Sequence, residues 1–380
     1  MIRIILQCAL VFLVSRGMLE AIGVGARLLA YPVMDPQFHR AAFSTSMWLD
    51  IWGVWDSEWF LGIVRDGYDT VVRSAAGIEG QANWAFFPLY PMLAWAVSEL
   101  SGVSAFPALL IVSNVAFFLA LLLIRVEASH LYGERAGGLA IALFAFMPGS
   151  FVFSSAYSES LFLLFVMLCL AFARREDWLL AGIAAACATL TRNLGILLVV
   201  PLLLYAAQAH GGWRDSEVLW RRRLEVVAAT ALPVIALGGF MLFLWQRTGD
   251  GIAFASVQTA WNRELQNPLI ALIGPFWAAP NIQTEIYPSI VMAWVSVAAT
   301  FALILRRNWP HAGYMVAVIT ITLASGVLSY FRFFLTMAPC VMVLAAYAAR
   351  YPQAGPAGIA LLALANGALM VSWALGLGIY

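Results

Sequence analysis

The chain has no lysine, and only 11% of its 380 residues are charged. All 21 cations are therefore arginine, set against 20 acids for a net charge of +1. A balance this close to neutral leaves no basic footprint for nucleic acid, which excludes that partner. Cysteine is scarce as well. Cys8, Cys169, Cys187 and Cys340 all fall in apolar stretches at no metal-ligand spacing and read as small buried residues. Internal repeats, low-complexity tracts and the alternating signature of barrel strands are missing too. What remains is 63% hydrophobic residues and a mean hydropathy of +0.87, far more than a soluble core of this length needs. The bilayer is the solvent, and in lipid the backbone must satisfy itself within helices. The chain reads as an all-α, polytopic membrane protein.

Apolar runs long enough to cross about 30 Å of hydrocarbon recur throughout. They predict about 11 membrane helices, near 4–31, 105–124, 137–153, 157–173, 178–190, 194–208, 225–246, 287–305, 313–328, 335–349 and 356–377. The first follows Met1-Ile2-Arg3 without a clear cleavage site and reads as a retained helix rather than a signal peptide. Arg125, Arg135, Arg174, Arg175, Arg214, Arg221, Arg222, Arg223, Arg306, Arg307 and Arg350 fall on one side if the helices alternate, and that side is expected to be the cytoplasm. The opposite side receives a first exoplasmic loop over 32–104 and a second over 247–286, within a single transmembrane domain spanning 1–380. The first loop is acid-rich, with Asp35, Asp50, Asp56, Glu58, Asp66, Asp69, Glu79 and Glu99. Arg16 and Glu20, four apart in the first helix, are expected to pair with each other.

Residues 50–65 have helical period, with Trp52, Trp55, Trp59 and Ile63 on one stripe, and predict a short amphipathic helix on the outer membrane surface. At about 100° per residue Asp56 lies about 40° from Trp52, inside the apolar arc, whereas Glu58 points away. A carboxylate that has lost hydration in this way suits general-base work, which makes Asp56 the first candidate for catalysis. Asp56-Ser57 also suits a helix cap with Glu58 facing water, and spacing does not separate the two readings. Two acids without a third ligand give no convincing metal site, so no cofactor is expected, although a divalent cation stays open.

Other polar groups gather on the same predicted side. Asn83-Trp84-Ala85-Phe86-Phe87-Pro88-Leu89-Tyr90-Pro91 suggests a rigid segment that can line a groove, although an aromatic belt without a ligand is the preferred reading of the residues alone. Tyr157 and Glu159 stand at the mouth of the fourth helix. Arg192 and Arg332 interrupt apolar runs, and arginine at membrane depth calls for an anion such as Glu159, a loop acid or a bound phosphate, or for a structural ion pair. Arg263 lies beside Trp261 and Asn262 in a polar patch of the second loop, which reads either as a cover for the site or as an ordinary surface helix.

In order along the chain, Trp55-Asp56-Ser57-Glu58-Trp59-Phe60 with Gly67-Tyr68, then Phe86-Phe87-Pro88-Leu89-Tyr90-Pro91, then Tyr157-Ser158-Glu159-Ser160-Leu161-Phe162, then Thr191-Arg192 resemble the successive signatures of the PIG-V family. Its members are the mannosyltransferases that add the second mannose of the glycosylphosphatidylinositol anchor, with their bacterial relatives. The resemblance implies a GT-C glycosyltransferase fold and a polyprenyl-phosphate sugar as donor. Asp56 matches the essential acid of the family's motif and Glu58 its second acidic position, so the resemblance makes both candidate catalytic residues. Thr191-Arg192-Asn193-Leu194-Gly195 departs from the family's Thr-Arg-Ser-Asn-Gly, which bears on the acceptor. The expected function is mannosyl transfer by inversion to a lipid-linked or glycolipid acceptor, with Asp56 as general base. Arg192, Arg332 and Arg263 are the expected donor-phosphate ligands. Trp55, Trp59, Phe87, Tyr90, Tyr157, Glu159, Trp261 and Asn262 are expected to bind substrate. Shortness and the absence of lysine suggest a bacterial cytoplasmic membrane, with the site on its outer face. The competing class is a lipid or glycan flippase, which would carry similar charges at a repeat interface nearer mid-membrane.

Overall fold

The computed structural model describes residues 1–30, 42–74, 79–209, 216–261, 263, 265–274, 286–327 and 330–377. Its regular elements among these residues are helices. Five are long and apolar enough to cross a membrane, and four further apolar helices are shorter. The chain divides into two compact units.

The first unit comprises residues 1–66, 90–164 and 335–380. It holds α1 (Ile2–Leu29), α2 (Met47–Asp50), α3 (Asp56–Asp66), nearly all of α4 (Leu89–Ser101), α5 (Ala105–Tyr132), α6 (Glu134–Phe146), the start of α7 (Glu159–Arg174), α16 (Ala338–Ala348) and α17 (Ala354–Ala374). Glycine punctuates it. Gly133, at φ 93°, turns the chain from α5 into α6, and Gly149, at φ 84°, opens the 3-10 turn Ser150–Phe153, conformations that a side chain resists. Within this unit α1 packs against α17 and α5, and α6 packs against α5 and α16.

Arg16 does not pair with Glu20 as its spacing suggests. The guanidinium reaches instead into the end of α6, donating to Ala145 O at 2.7 Å and to Ser150 O at 2.7 Å and Oγ at 3.0 Å. The last carbonyls of a helix have no partner within it, and a guanidinium satisfies two at once. Glu20 is engaged elsewhere, accepting from the Trp52 indole at 2.8 Å. Tertiary partners here outweigh a local i,i+4 pair, which in isolation contributes only about 0.2–0.5 kcal/mol.

The second unit comprises residues 67–89 and 165–334. Besides the rest of α7 it holds α8 (Trp178–Thr191), α9 (Val199–Ala209), α10 (Ser216–Thr248), α11 (Ala253–Ser256), α12 (Pro268–Ile273), α13 (Ile286–Leu305), α14 (Trp309–Ala324) and α15 (Tyr330–Leu335). Asn267 before Pro268 and Asn308 before Trp309-Pro310 open α12 and α14, each asparagine accepting a hydrogen bond from the first turn. Gly182 lets α8 approach α10, since a Cβ there would stand 2.5 Å from Ala229 Cα. Such close approach through small residues drives helix association where lipid supplies no hydrophobic force.

Candidate active site

The helix expected over 50–65 is broken. α2 ends at Asp50, α3 begins at Asp56, and Trp55 between them sits at φ 42°, a left-handed conformation that costs a bulky residue about 1–3 kcal/mol. The common stripe of Trp52 and Trp59 is therefore not a single helix face. The separation of the two acids survives for a different reason. Asp56 is half-buried at the first position of α3, and Glu58 is exposed. α3 does not lie open on a surface either. Ser57, Trp59, Phe60, Leu61, Ile63 and Val64 are buried, and within its unit the helix packs against α5.

The turn that carries Asp56 is tied to several segments at once. Trp373 Nε1 donates to Ile51 O at 3.1 Å, the amide of Ala156 donates to Trp52 O at 3.2 Å, and the Tyr157 hydroxyl donates to Val54 O at 3.2 Å. Ser57 closes the turn locally, its amide donating to Val54 O while its Oγ accepts from Val54 N. Trp55 packs edge-on against Trp373 with ring centroids 5.5 Å apart. Tyr157 itself is buried, and its carbonyl accepts from Ser113 Oγ, which also meets the Tyr90 hydroxyl at 2.8 Å. Trp55, Asp56, Trp59, Tyr90 and Tyr157 thus belong to one unit, and Glu159 joins them as the fully buried first residue of α7.

A feature absent from the sequence reading underlies this turn. Arg27, near the end of α1, forms a buried salt bridge with Asp50 and donates from Nε to Ala374 O at 2.8 Å. The other Asp50 oxygen accepts the amides of Phe43 and Ser44, at 2.7 and 2.9 Å. The signal available in the sequence was an arginine and an aspartate at the edges of apolar runs, each needing a counter-charge if buried.

The remaining candidates lie in the second unit. Phe87 is buried against Phe240 and Phe254, at 4.7 and 5.4 Å. Trp261 faces Phe86 at 6.3 Å. Arg192 stands over the Phe333 ring at 5.7 Å, Arg263 donates to Gln258 Oε1 at 3.1 Å, and Arg332 is half-buried on α15. Asn262 lies outside the described residues.

The Asn83-Trp84 segment proves to be a brace. The Asn83 side chain donates to Gly67 O at 3.0 Å and accepts from Asp69 N at 2.9 Å, and the Trp84 indole donates to Asp69 O at 2.7 Å. Tyr68 donates to Phe86 O at 2.6 Å, and burial pushes its phenol well above the ordinary range, keeping it a neutral donor. The braced chain walls an open cavity of about 550 Å³ lined by residues 68–74 and Arg247. Arg73, which also meets Asp69 at 3.3 Å, and Arg247, which donates to Tyr68 O at 3.2 Å, make its wall cationic. Among the described residues no three His, Cys, Asp or Glu side chains converge as a metal site requires.

The model of the dolichyl-phosphate-mannose-protein mannosyltransferase family matches residues 87–237. No curated protein matches the chain significantly in sequence. Among solved structures, ArnT from Cupriavidus metallidurans bound to undecaprenyl phosphate is similar, with a TM-score of 0.52 at 16% identity over 95% of this chain and 62% of ArnT. The apo oligosaccharyltransferase of Archaeoglobus fulgidus gives a TM-score of 0.46 at 12% identity over 97% of this chain and 56% of its own. The chain therefore spans about three-fifths of the length of the ArnT chain it matches. The likeness to ArnT shows the architecture: an all-helical, polytopic membrane protein with the GT-C fold.

Proposed function

We propose that the protein is a membrane glycosyltransferase that moves a sugar, mannose in the first instance, from a polyprenyl-phosphate donor to a hydroxyl of a lipid-linked or glycolipid acceptor. The observation that carries the reading is Asp56, half-buried at the head of α3 on a strained turn fixed from several segments. A carboxylate so placed is preorganised for proton transfer. In the reaction the acceptor oxygen attacks C1 of the sugar and its proton passes to Asp56. The bond from C1 to the phosphate oxygen breaks, polyprenyl phosphate leaves with the electron pair, and the anomeric configuration inverts. Arg192, Arg332 and Arg263 remain assigned to the departing phosphate.

The undecaprenyl phosphate bound by ArnT and the dolichyl-phosphate mannose in the description of the matching family support this donor class. The motif order resembling the PIG-V family supports mannose, the absence of lysine a bacterial cytoplasmic membrane, and the placement of the loop arginines an outward-facing site. The test is to incubate purified protein in liposomes with radiolabelled polyprenyl-phosphate mannose and an extract of glycolipid acceptors. A new glycoside supports the reading. Movement of label between leaflets without a new glycoside would instead identify a flippase and overturn it.

A further inference from the structure

We propose that the buried Arg27–Asp50 pair is a positioning device for Asp56, an inference that rests on the glycosyltransferase reading above. Asp50 lies six residues before Asp56 and joins three otherwise separate pieces of chain. Its Oδ2 meets Arg27 of α1, and its Oδ1 collects the amides of Phe43 and Ser44. Its backbone carbonyl accepts from Gly53 N at 3.0 Å. Arg27 in turn is anchored to the last residue of α17 through Ala374 O, next to Trp373, which holds Ile51 O. Beyond Asp50 the carbonyls of Ile51, Trp52 and Val54 all accept hydrogen bonds from donors on other segments or on α3 itself.

A turn with Trp55 at φ 42° persists only where its surroundings over-determine it. The salt bridge fixes the start of that turn, and the Tyr157 hydroxyl fixes its end one residue before Trp55. Loss of either end lets Trp55 relax toward ordinary φ and rotates the first residue of α3 away from its place. Small misplacements of a reacting group can cost about a hundredfold in rate. Neither Arg27 nor Asp50 is required to touch substrate, so the effect falls on turnover rather than on binding.

The experiment compares wild type with Asp50→Asn and, as a milder variant that leaves the salt bridge intact, Tyr157→Phe. It measures kcat and KM with radiolabelled polyprenyl-phosphate mannose, and hydrogen exchange of the 51–58 amides. The expected result is a 10- to 100-fold fall in kcat for Asp50→Asn, KM within about threefold, and faster exchange in 51–58. Tyr157→Phe shows the same pattern more weakly. Wild-type kcat in both variants, or a change confined to KM, overturns the proposal while leaving the enzyme assignment standing. If Asp50→Asn fails to fold, Arg27→Lys, which keeps a charge beside Asp50 but loses the Nε bond to Ala374 O, decides by the same criteria. A wild-type protein that transfers no sugar overturns the underlying reading, and the proposal with it.

Discussion

Two carboxylates two residues apart have different environments, and the difference sets different expectations for their loss. Asp56 is half-buried on a fixed turn, whereas Glu58 is exposed on the first turn of α3. Replacing Glu58 with Gln should therefore leave turnover within a few-fold of wild type in the same transfer assay, because an exposed side chain on an open face is not preorganised for proton transfer. Arg16 is a second case in which the partner defines the role. Its donors meet Ala145 O, Ser150 O and Oγ, Ser154 Oγ and Ser15 Oγ, so Arg16→Leu removes hydrogen bonds from a charged donor at the end of α6 and in the turn beyond it, although Ala145 O keeps the Ser150 hydroxyl. Each such bond contributes about 1.5–3 kcal/mol. Thermal unfolding in detergent should show a clearly lowered midpoint, and Arg16→Lys should restore little of it, because an ammonium lacks the planar fork that reaches two carbonyls.

At the scale of elements, much of the helical framework was legible because the apolar runs exceed any soluble need. The expected 105–124, 178–190, 287–305 and 356–377 correspond to α5, α8, α13 and α17, with ends shifted by the caps. Misplaced boundaries trace to identifiable chemistry. The run expected over 313–328 starts at Trp309 instead, because Asn308 caps it and Pro310 suits a first turn. The run over 137–153 stops at Phe146, because Pro148 and Gly149 turn the chain. The stretch 50–65 misled for another reason. Its tryptophans keep helical spacing, but the backbone bonds made by Trp373, Ala156 and Tyr157 come from residues about a hundred to over three hundred positions away, which no local period encodes. The contact between α8 and α10 gives an elemental prediction. Gly182→Leu should force the two helices apart against the Ala229 backbone and lower the unfolding midpoint, while the same substitution at Gly238, which faces open space, should be nearly silent.

At the scale of the whole molecule, composition already excludes a soluble domain, and the fold shared with ArnT agrees with the membrane architecture expected from hydropathy. The candidate site was legible in part. The acidic motif was found from residue types and a resemblance, but the Arg27–Asp50 pair and the cationic cavity at 68–74 were not. Both depend on residues brought together by the tertiary fold, and a lone arginine at the end of an apolar run looks the same in sequence whether it faces lipid headgroups or a buried aspartate. Arg247 illustrates this. Sequence places it at the end of a long helix, and only the fold sets it against the carbonyl of Tyr68. If the cavity holds the donor phosphate, Arg247→Ala should lower kcat/KM for the lipid-phosphate sugar about tenfold, since it removes a cation from the group on which negative charge develops as the bond to C1 breaks.

The central claim is that Asp56 serves as the base of a sugar transfer. It is tested most directly by Asp56→Asn in a purified transfer assay with a polyprenyl-phosphate sugar, alongside thermal unfolding to confirm an intact fold. A 10²- to 10⁴-fold loss of turnover with an unchanged unfolding midpoint is the predicted result. Turnover near that of wild type would contradict the account.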